Sequence, residues 1–295
     1  MTTVIPVESS LAPCVKALML RHLRVVPLAT AFTLALAGTP AHAGGGLSWQ
    51  SVLNQAERLA TDAALPVAKE KQLGKKLAKE VEKENKLHKS KELQEYVAKV
   101  GKKVAAKAKD TPKGISYTFK VIDDDETVNA FALPGGHIYV YSGLLKLASD
   151  EAELAGVLGH EVAHVSQRHI AERLMAQVGL EGLIGMATGK NSEGLTALAA
   201  NLAGQGALLS FGRDQESDAD VHGLPYAVAA GYDPMGFVRL FEKLKKGEGP
   251  GFLVFLQSHP LPSERIDDAK AQIAKLKDKD GKRNEAAYQK MLEKL

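Results

Sequence analysis

The 295-residue sequence predicts a mainly α (α+β) protein with a small antiparallel sheet. Apolar residues recur at helical spacing in several long stretches, and residues 115–121 alternate between apolar and polar as a half-buried strand does. Hydrophobic residues make up 45% of the chain, which is enough for a sizeable core. The formal net charge of +3 gives no support to nucleic-acid binding, and no nucleic-acid partner is expected.

Residues 1–43 have the features of a cleavable secretory signal peptide. Arg21 and Arg24 precede an uncharged, mostly apolar run over residues 25–37, and Ala41-His42-Ala43 is a small-x-small cleavage pattern. The run has 13 residues, whereas a helix that spans a bilayer needs about 20. We therefore predict export and removal of this segment, with a retained membrane anchor as the alternative.

Residues 44–110 are predicted to be an N-terminal helical segment that packs on a domain of residues 111–295, which contains the histidine motif described below. Within it, residues 67–109 form a basic helical stretch with apolar residues at helical spacing. These residues are Leu73, Leu77, Val81, Leu93, Val97, Val100 and Val104. Lysines cover the other face, which is typical of a solvated helical surface, and contact with an anionic membrane is the alternative.

A short sheet is predicted to follow the breaks at Pro112 and Gly114. The alternating residues 115–121 form one strand, and the acidic residues 123–126 form a turn. Two further short strands, residues 129–132 and 138–141, flank Pro134-Gly135-Gly136 and are predicted to form a hairpin.

The remaining chain is predicted to be helical. Ser149 or Asp150 caps a helix that runs beyond His169, and Asn191 or Ser192 caps another that continues through residues 216–220. Further along, Gly231 ends a helix, Asp233-Pro234 begins one, and the charged tail from residue 264 is helical.

The motif that predicts a chemical function is His160-Glu161-Val162-Ala163-His164. Two histidines four residues apart on a helix project from one face and can bind one Zn²⁺ through their imidazoles. Glu161 lies beside that face, where it can accept a proton from an activated water and pass it to a leaving amine. The only cysteine, Cys14, precedes the predicted cleavage point, so the other ligands must be histidines or carboxylates.

Glu216 and Asp220 supply a second pair at helical spacing. A catalytic zinc needs three protein ligands, and Glu216 can complete a two-histidine, one-glutamate site. Asp220 can accept the outer N–H of a ligand histidine and fix its tautomer. Two solvated helix carboxylates would be the interpretation of this pair in isolation, but its combination with His160 and His164 favours the metal site.

With these motifs, the sequence resembles the HtpX-like and prenyl-protease-like gluzincin metallopeptidases. Within them it is most similar to the soluble periplasmic group that includes the beta-barrel assembly-enhancing protease. The tetratricopeptide domain of that protease is not expected here. The segments that carry the resemblance are NAFALPGG at 129–136, ELAGVLGHEVAH at 153–164, Arg213 with residues 216–220, and SHPLPS at 258–263.

The resemblance implies a zincin-like helical metalloprotease domain with a small antiparallel sheet and one Zn²⁺ per chain. It also implies a periplasmic endopeptidase that acts on unfolded or misfolded and stalled envelope proteins, with outer-membrane assembly factors as candidate partners. A non-hydrolytic envelope chaperone and a dedicated processing protease for one precursor are the alternative functions. The presence of Glu161 favours hydrolysis over the chaperone.

A substrate-binding role is predicted for one strand, whose residues are Asn129, Ala130, Phe131 and Ala132. Its free edge could pair with an extended substrate, and a plain structural hairpin is the alternative.

By resemblance, His259 can occupy the fourth zinc position in a self-inhibited state, or it can stabilise the oxyanion. A surface histidine in a proline-rich loop is the third possibility for His259. Arg213 could orient Glu216 or polarise the scissile carbonyl, and a surface ion pair is equally compatible with its position. His137, His169 and His222 are predicted to be structural or exposed.

Overall fold

The computed structural model describes residues 64–205, 210–247, 251–260, 263–277 and 280–295. The predicted signal peptide, residues 1–43, lies outside the described residues. From Leu65 onward the described residues share one hydrophobic core. Among the described helices, none combines the length and apolar character that crossing a membrane requires.

The described part of the chain contains twelve α-helices and three strands. The helices are α1 (Val67–Glu84), α2 (Lys91–Ala105), α3 (Ser142–Leu147), α4 (Glu151–Ser166), α5 (His169–Val178), α6 (Leu180–Thr188), α7 (Ser192–Gln205), α8 (Arg213–Ala229), α9 (Met235–Lys245), α10 (Phe252–Ser258), α11 (Ser263–Ala274) and α12 (Glu285–Leu292). The strands are β1 (Thr118–Ile122), β2 (Ala130–Leu133) and β3 (His137–Tyr141). The mainly α prediction with a small sheet is confirmed.

The basic N-terminal stretch forms two helices, α1 and α2, whose apolar residues are buried in the common core. Ser90 separates them and caps α2, because its hydroxyl accepts a hydrogen bond from Leu93 N at 3.2 Å. The side chain of Glu70 in α1 is almost fully buried and pairs with Arg168 at 2.8 Å. This ion pair connects α1 to the end of α4.

The sheet is mixed: the predicted antiparallel pairing is present between β2 and β3, whereas β1 pairs with β3 in parallel. Its strand order is β1-β3-β2, with β2 and β3 antiparallel as the hairpin prediction requires. The strands β1 and β3 are parallel because the chain reverses once before β2 and again at Pro134–Gly136. The central position of β3 leaves β2 at one edge of the described sheet.

Helix α4 begins and ends at defined signals. Asp150 caps its start by accepting a hydrogen bond from Glu153 N at 2.9 Å. The helix ends at Ser166, so the prediction that it runs beyond His169 is wrong. The break is at Arg168, which has a φ of 63° in the left-handed region and donates two hydrogen bonds to Glu70. His169 therefore starts a new helix with a new direction.

The helix predicted from residue 192 through Asp220 is also divided. Helix α7 ends at Gln205, and α8 starts at Arg213 after Gly212 in extended conformation. Just before this start, Phe211 N donates a hydrogen bond to Ser258 O at 3.2 Å. This contact with a segment more than 40 residues away favours an extended backbone over a continuous helix.

Glycines allow α4 to approach its neighbours closely. A Cβ atom on Gly159 would lie 2.5 Å from Gly223 O, and a Cβ on Gly223 would lie 2.7 Å from the Gly159 backbone. The backbones of α4 and α8 therefore touch at these glycines. Gly156 makes a similar contact with Phe237 of α9. Small residues at the crossing bring the helix with His160 next to the helix with Glu216.

We predict that Gly223→Ala lowers the free energy of unfolding by about 1–3 kcal/mol, because the added methyl group forces the two backbones apart. Gly185→Ala is the matched control, since its Cβ would meet its nearest neighbour at 3.5 Å, an ordinary contact. Alanine there should be neutral or stabilise by up to about 1 kcal/mol. Urea unfolding measures both. Equal effects of the two substitutions would contradict the close crossing.

Candidate metal centre

The two histidines of α4 point their Nε2 atoms at a common position. The His160 and His164 Nε2 atoms are 3.0 Å apart, and both rings are buried. Glu216 of α8 faces them across the glycine crossing. Its Oε2 lies 3.5 Å from His160 Nε2, and its Oε1 lies 3.4 Å from His164 Nε2.

His259, which directly follows α10, joins the same group. Its Nδ1 is 3.0 Å from Glu216 Oε1 and 3.3 Å from His160 Nε2. The four candidate ligand atoms of His160, His164, Glu216 and His259 lie within 4.8 Å of one another, and all four residues are buried. The structure thus brings together side chains from α4, α8 and the segment after α10.

The donor set fits a tetrahedral zinc ion. Zinc–nitrogen and zinc–oxygen distances of about 2.0–2.2 Å define tetrahedron edges of about 3.3–3.6 Å. The five distances given above, which involve both oxygens of Glu216, run from 3.0 to 3.5 Å, close to these edges. Glu216 Oε2 is buried without a hydrogen-bond partner among the described residues, although it is 2.5 Å from Arg265 Nη1 in an ion pair. A cation between the ligands would satisfy this oxygen.

Glu161 lies beside the ligands and is almost fully buried. Its Oε1 is 3.5 Å from His259 Nε2 and has no hydrogen-bond partner among the described residues. Burial raises the pKa of Glu161, while the His259 and His160 imidazoles and the Ala132 backbone N–H oppose this rise. A carboxylate with a raised pKa and a free oxygen is suited to accept a proton near neutral pH.

The imidazoles and the carboxylate influence each other strongly. Burial lowers the pKa of His160, but the hydrogen bonds that its ring donates to the Asp220 and Glu216 carboxylates, together with their negative charges, outweigh burial and raise the pKa to about 9. Burial and the neighbouring His160 hold the pKa of His164 well below its usual value. Burial alone would raise the pKa of Glu216, yet the surrounding imidazoles, His259 first, hold it well below its usual value. The cluster therefore keeps Glu216 ionised.

Asp220 lies one turn after Glu216 and contacts the outer nitrogen of a ligand. Its Oδ1 is 2.9 Å from His160 Nδ1. Arg265 of α11 donates to both oxygens of Asp220, at 2.6 and 2.7 Å. The same guanidinium donates to Pro260 O at 2.8 Å, next to His259.

Sequence reasoning missed Arg265. Its signal was available, because it comes only two residues after the SHPLPS segment at 258–263. In the structure the side chain of Arg265 is buried and contacts both Glu216 and Asp220. Arg213, by contrast, is exposed at the first residue of α8. The guanidinium that contacts Glu216 is therefore that of Arg265.

His169 was predicted to be structural or exposed, and it is buried beside the ligands. Its Nδ1 is 3.0 Å from His164 Nδ1, and its Nε2 is 3.2 Å from Asp218 Oδ2. The spacing of five residues from His164 gave no signal, because it places His169 on another face of a continuous helix. His222 contacts Asp218, and His137 contacts Thr118, so both lie away from the four candidate ligands.

The strand β2 packs beside α4 at the edge of the sheet. Asn129 O accepts a hydrogen bond from Tyr141 N at 3.0 Å, on the β3 side. Because backbone groups alternate along a strand, the Ala130 and Ala132 groups face the other edge. The Ala130 N–H is bonded to Asn129 Oδ1 at 2.9 Å. The edge next to Glu161 thus carries the Ala130 and Ala132 carbonyls.

Comparison with known proteins is consistent with this geometry. The Beta-barrel assembly-enhancing protease of Escherichia coli (strain K12) is 33% identical over 195 residues, 60% of this chain and 38% of that protein. The Mitochondrial metalloendopeptidase OMA1 of Schizosaccharomyces pombe is 33% identical over 181 residues, 58% of this chain and 50% of that protein. Metalloprotease YcaL of Escherichia coli (strain K12) is 31% identical over 183 residues, 60% of this chain and 71% of that protein.

The chain thus spans less than half of the length of the assembly-enhancing protease that it matches. The family described as Peptidase family M48 matches residues 91–273, a stretch that includes every candidate ligand. The metallopeptidase class and the family resemblance that the sequence predicted are confirmed. Since this match covers more than half of the sequence, the chain belongs to peptidase family M48.

Proposed function

We propose that this chain is a zinc-dependent endopeptidase that cleaves misfolded or stalled proteins of the bacterial cell envelope. The observation that carries the proposal is the buried cluster of His160, His164, Glu216 and His259, with the free oxygen of Glu161 beside it. The names of the relatives support the substrate class, since one is an assembly-enhancing protease and another a metalloendopeptidase. We also propose that residues 1–43 direct export to the periplasm. Outer-membrane assembly factors are the proposed partners.

In this proposal His160, His164 and Glu216 hold the metal, and Asp220 fixes the His160 ring. Bound there, a zinc ion would supply Lewis-acid chemistry toward the peptide carbonyl and the attacking water. Glu161 accepts the proton of that water as it attacks and delivers the proton to the nitrogen of the leaving amine. The raised pKa of Glu161 suits both steps. Arg213, at the start of α8, is an additional candidate for polarising the carbonyl.

The substrate is proposed to bind as an added strand on the free edge of β2. Backbone carbonyls at Ala130 and Ala132 face that edge, where both residues are buried, and the Ala132 N–H reaches Glu161. Main-chain hydrogen bonds of this kind read an extended backbone with little regard to side chains. A peptidase that acts on many unfolded chains needs this tolerance.

The direct test is metal analysis of the purified mature protein and a casein assay with and without chelator. Zinc at one per chain and chelator-sensitive cleavage of unfolded casein support the proposal. A bound metal with no hydrolysis would favour an envelope chaperone, and cleavage of a single precursor would favour a processing protease.

We predict that Glu161→Gln retains zinc and the fold but lowers the rate of peptide hydrolysis at least about 100-fold. Glutamine keeps the shape of the side chain and cannot accept the proton. Zinc content and initial rates on casein measure both effects. Glu181→Gln, the same change at an exposed position of α6, is the control and should keep the parent rate. Substantial turnover by the zinc-loaded Glu161→Gln variant would rule out the general base.

Glu216→Ala and Asp220→Ala are expected to affect zinc binding in different ways. Loss of Glu216 deletes a ligand, so zinc should be lost outright. Loss of Asp220 loosens the His160 ring and should weaken zinc affinity about 10–100-fold. Zinc titration with a competing chelator measures both, and Ser217→Ala, exposed on the same helix, is the control. Parent-like affinity in Glu216→Ala would disprove the two-histidine, one-glutamate site.

His259→Ala should retain zinc through the three other ligands and increase proteolysis or self-cleavage. The reason is that His259 Nδ1 fills the fourth corner of the cluster, which leaves no room for a catalytic water. Gln257→Ala, exposed on α10, should match the parent. A sharp fall in rate with zinc intact would assign His259 to the oxyanion instead, and unchanged rate and affinity would remove it from the site.

A further inference from the structure

His160 and His164, the two candidate ligands on α4, differ in the group that contacts Nδ1, the ring nitrogen that faces away from the cluster. His160 Nδ1 contacts a carboxylate, Asp220, at 2.9 Å. His164 Nδ1 contacts a second imidazole, that of His169, at 3.0 Å. Both His164 and His169 are buried, so water does not replace this contact. An outer partner that fixes ring and tautomer is a usual requirement for a histidine that binds a metal.

Asp218, His169 and His164 form a chain of contacts, and Asp218 determines which atom donates in each. Asp218 Oδ2 lies 3.2 Å from His169 Nε2, and an ionised carboxylate can only accept. With its ring neutral, His169 therefore carries its single proton on Nε2 and presents a lone pair on Nδ1. That lone pair accepts from His164 Nδ1–H. The Nε2 of His164 is then left without a proton, facing Glu216 and His160.

We propose that His169 is a positioning residue that holds His164 in the Nδ1–H tautomer, with its Nε2 lone pair aimed into the metal cluster. Asp218 fixes the tautomer of His169 in turn. This inference rests on the proposed metal site for its functional meaning. The pairing of His164 with His169 itself is a property of the metal-free protein.

The surrounding structure is arranged to maintain this pairing. The left-handed residue Arg168 ends α4 and turns the chain so that His169 returns to His164. Arg168 is held in that conformation by Glu70 of α1. Backbone strain of this kind persists where neighbouring contacts enforce it, often beside functional residues.

Phe211 fixes the remaining freedom of the His164 ring. The two rings stack with centroids 3.9 Å apart and planes 19° apart. Stacking defines the plane of the imidazole but permits a flip that exchanges Nδ1 and Nε2. The hydrogen bond to His169 distinguishes the two orientations, because only one places the N–H opposite the His169 lone pair.

The first test uses the metal-free parent protein labelled with ¹⁵N-histidine. Nitrogen–proton correlation spectra identify which nitrogen of each neutral imidazole carries the proton. We expect His164 protonated on Nδ1 and His169 protonated on Nε2. An Nε2–H tautomer for His164 in the parent would overturn the proposal without any variant.

The second test compares His169→Phe with His169→Gln. Phenylalanine fills the space of the ring but has no acceptor, so the His164 tautomer should become mixed and zinc affinity should fall about 10–100-fold. Glutamine offers an amide oxygen as acceptor and should recover a large part of the affinity. A residue that only fills the core would give the opposite order, since phenylalanine is the better filler.

The control is His222→Ala. His222 contacts the same Asp218 carboxylate at 3.6 Å, from its own position on α8 four residues later. Its loss should leave both the His164 tautomer and zinc affinity at parent values. Parent-like zinc affinity in His169→Phe would overturn the proposal. Failure of the proposed zinc site would give a different result from failure of the His169 proposal. The parent would then bind no zinc, whereas the tautomer of His164 would still change when residue 169 is replaced.

Discussion

The close crossing of α4 and α8 is the constraint on which the site depends. At Gly159 and Gly223 the two backbones touch, and a Cβ atom on either residue would come within 2.7 Å of the other helix. His160 follows Gly159 directly, and Glu216 and Asp220 precede Gly223 on the facing helix. At this crossing the imidazoles of α4 and the carboxylates of α8 lie 2.9–3.5 Å apart. The glycines therefore contribute to the candidate metal centre without touching it.

The crossing also places several ionisable groups in a water-excluded space, so their charges must balance. Glu216 and Asp220 are buried carboxylates, and an unpaired buried charge is costly. Arg265 pairs with both, and its pKa is raised by these carboxylates despite its burial. His160, with a pKa near 9, adds a second positive charge in the metal-free protein. A zinc ion bound at the cluster would displace that proton and bring one positive charge more than the proton it replaces.

The groups around the cluster come from almost the whole described chain. Glu70 of α1 holds Arg168, which directs His169 toward His164. At the other end of the sequence, Arg265 ties Asp220 to the carbonyl of Pro260, next to His259. Because the parts of the site depend on these separate elements, metal affinity and global folding should be coupled.

The sequence by itself determined the two i, i+4 pairs, His160 with His164 and Glu216 with Asp220, because helical periodicity is a local property. It also determined the hairpin at Pro134 and limited the cap of α4 to Ser149 or Asp150, both encoded within a few residues. Tertiary structure alone decided the break at Arg168, where a non-glycine residue adopts a left-handed conformation and its guanidinium binds distant Glu70 and Leu65 O. The same holds for the roles of His169 and Arg265, the extended segment at Phe211 and the parallel pairing of β1 with β3. Each of these depends on contacts between residues far apart in sequence, which local spacing does not specify.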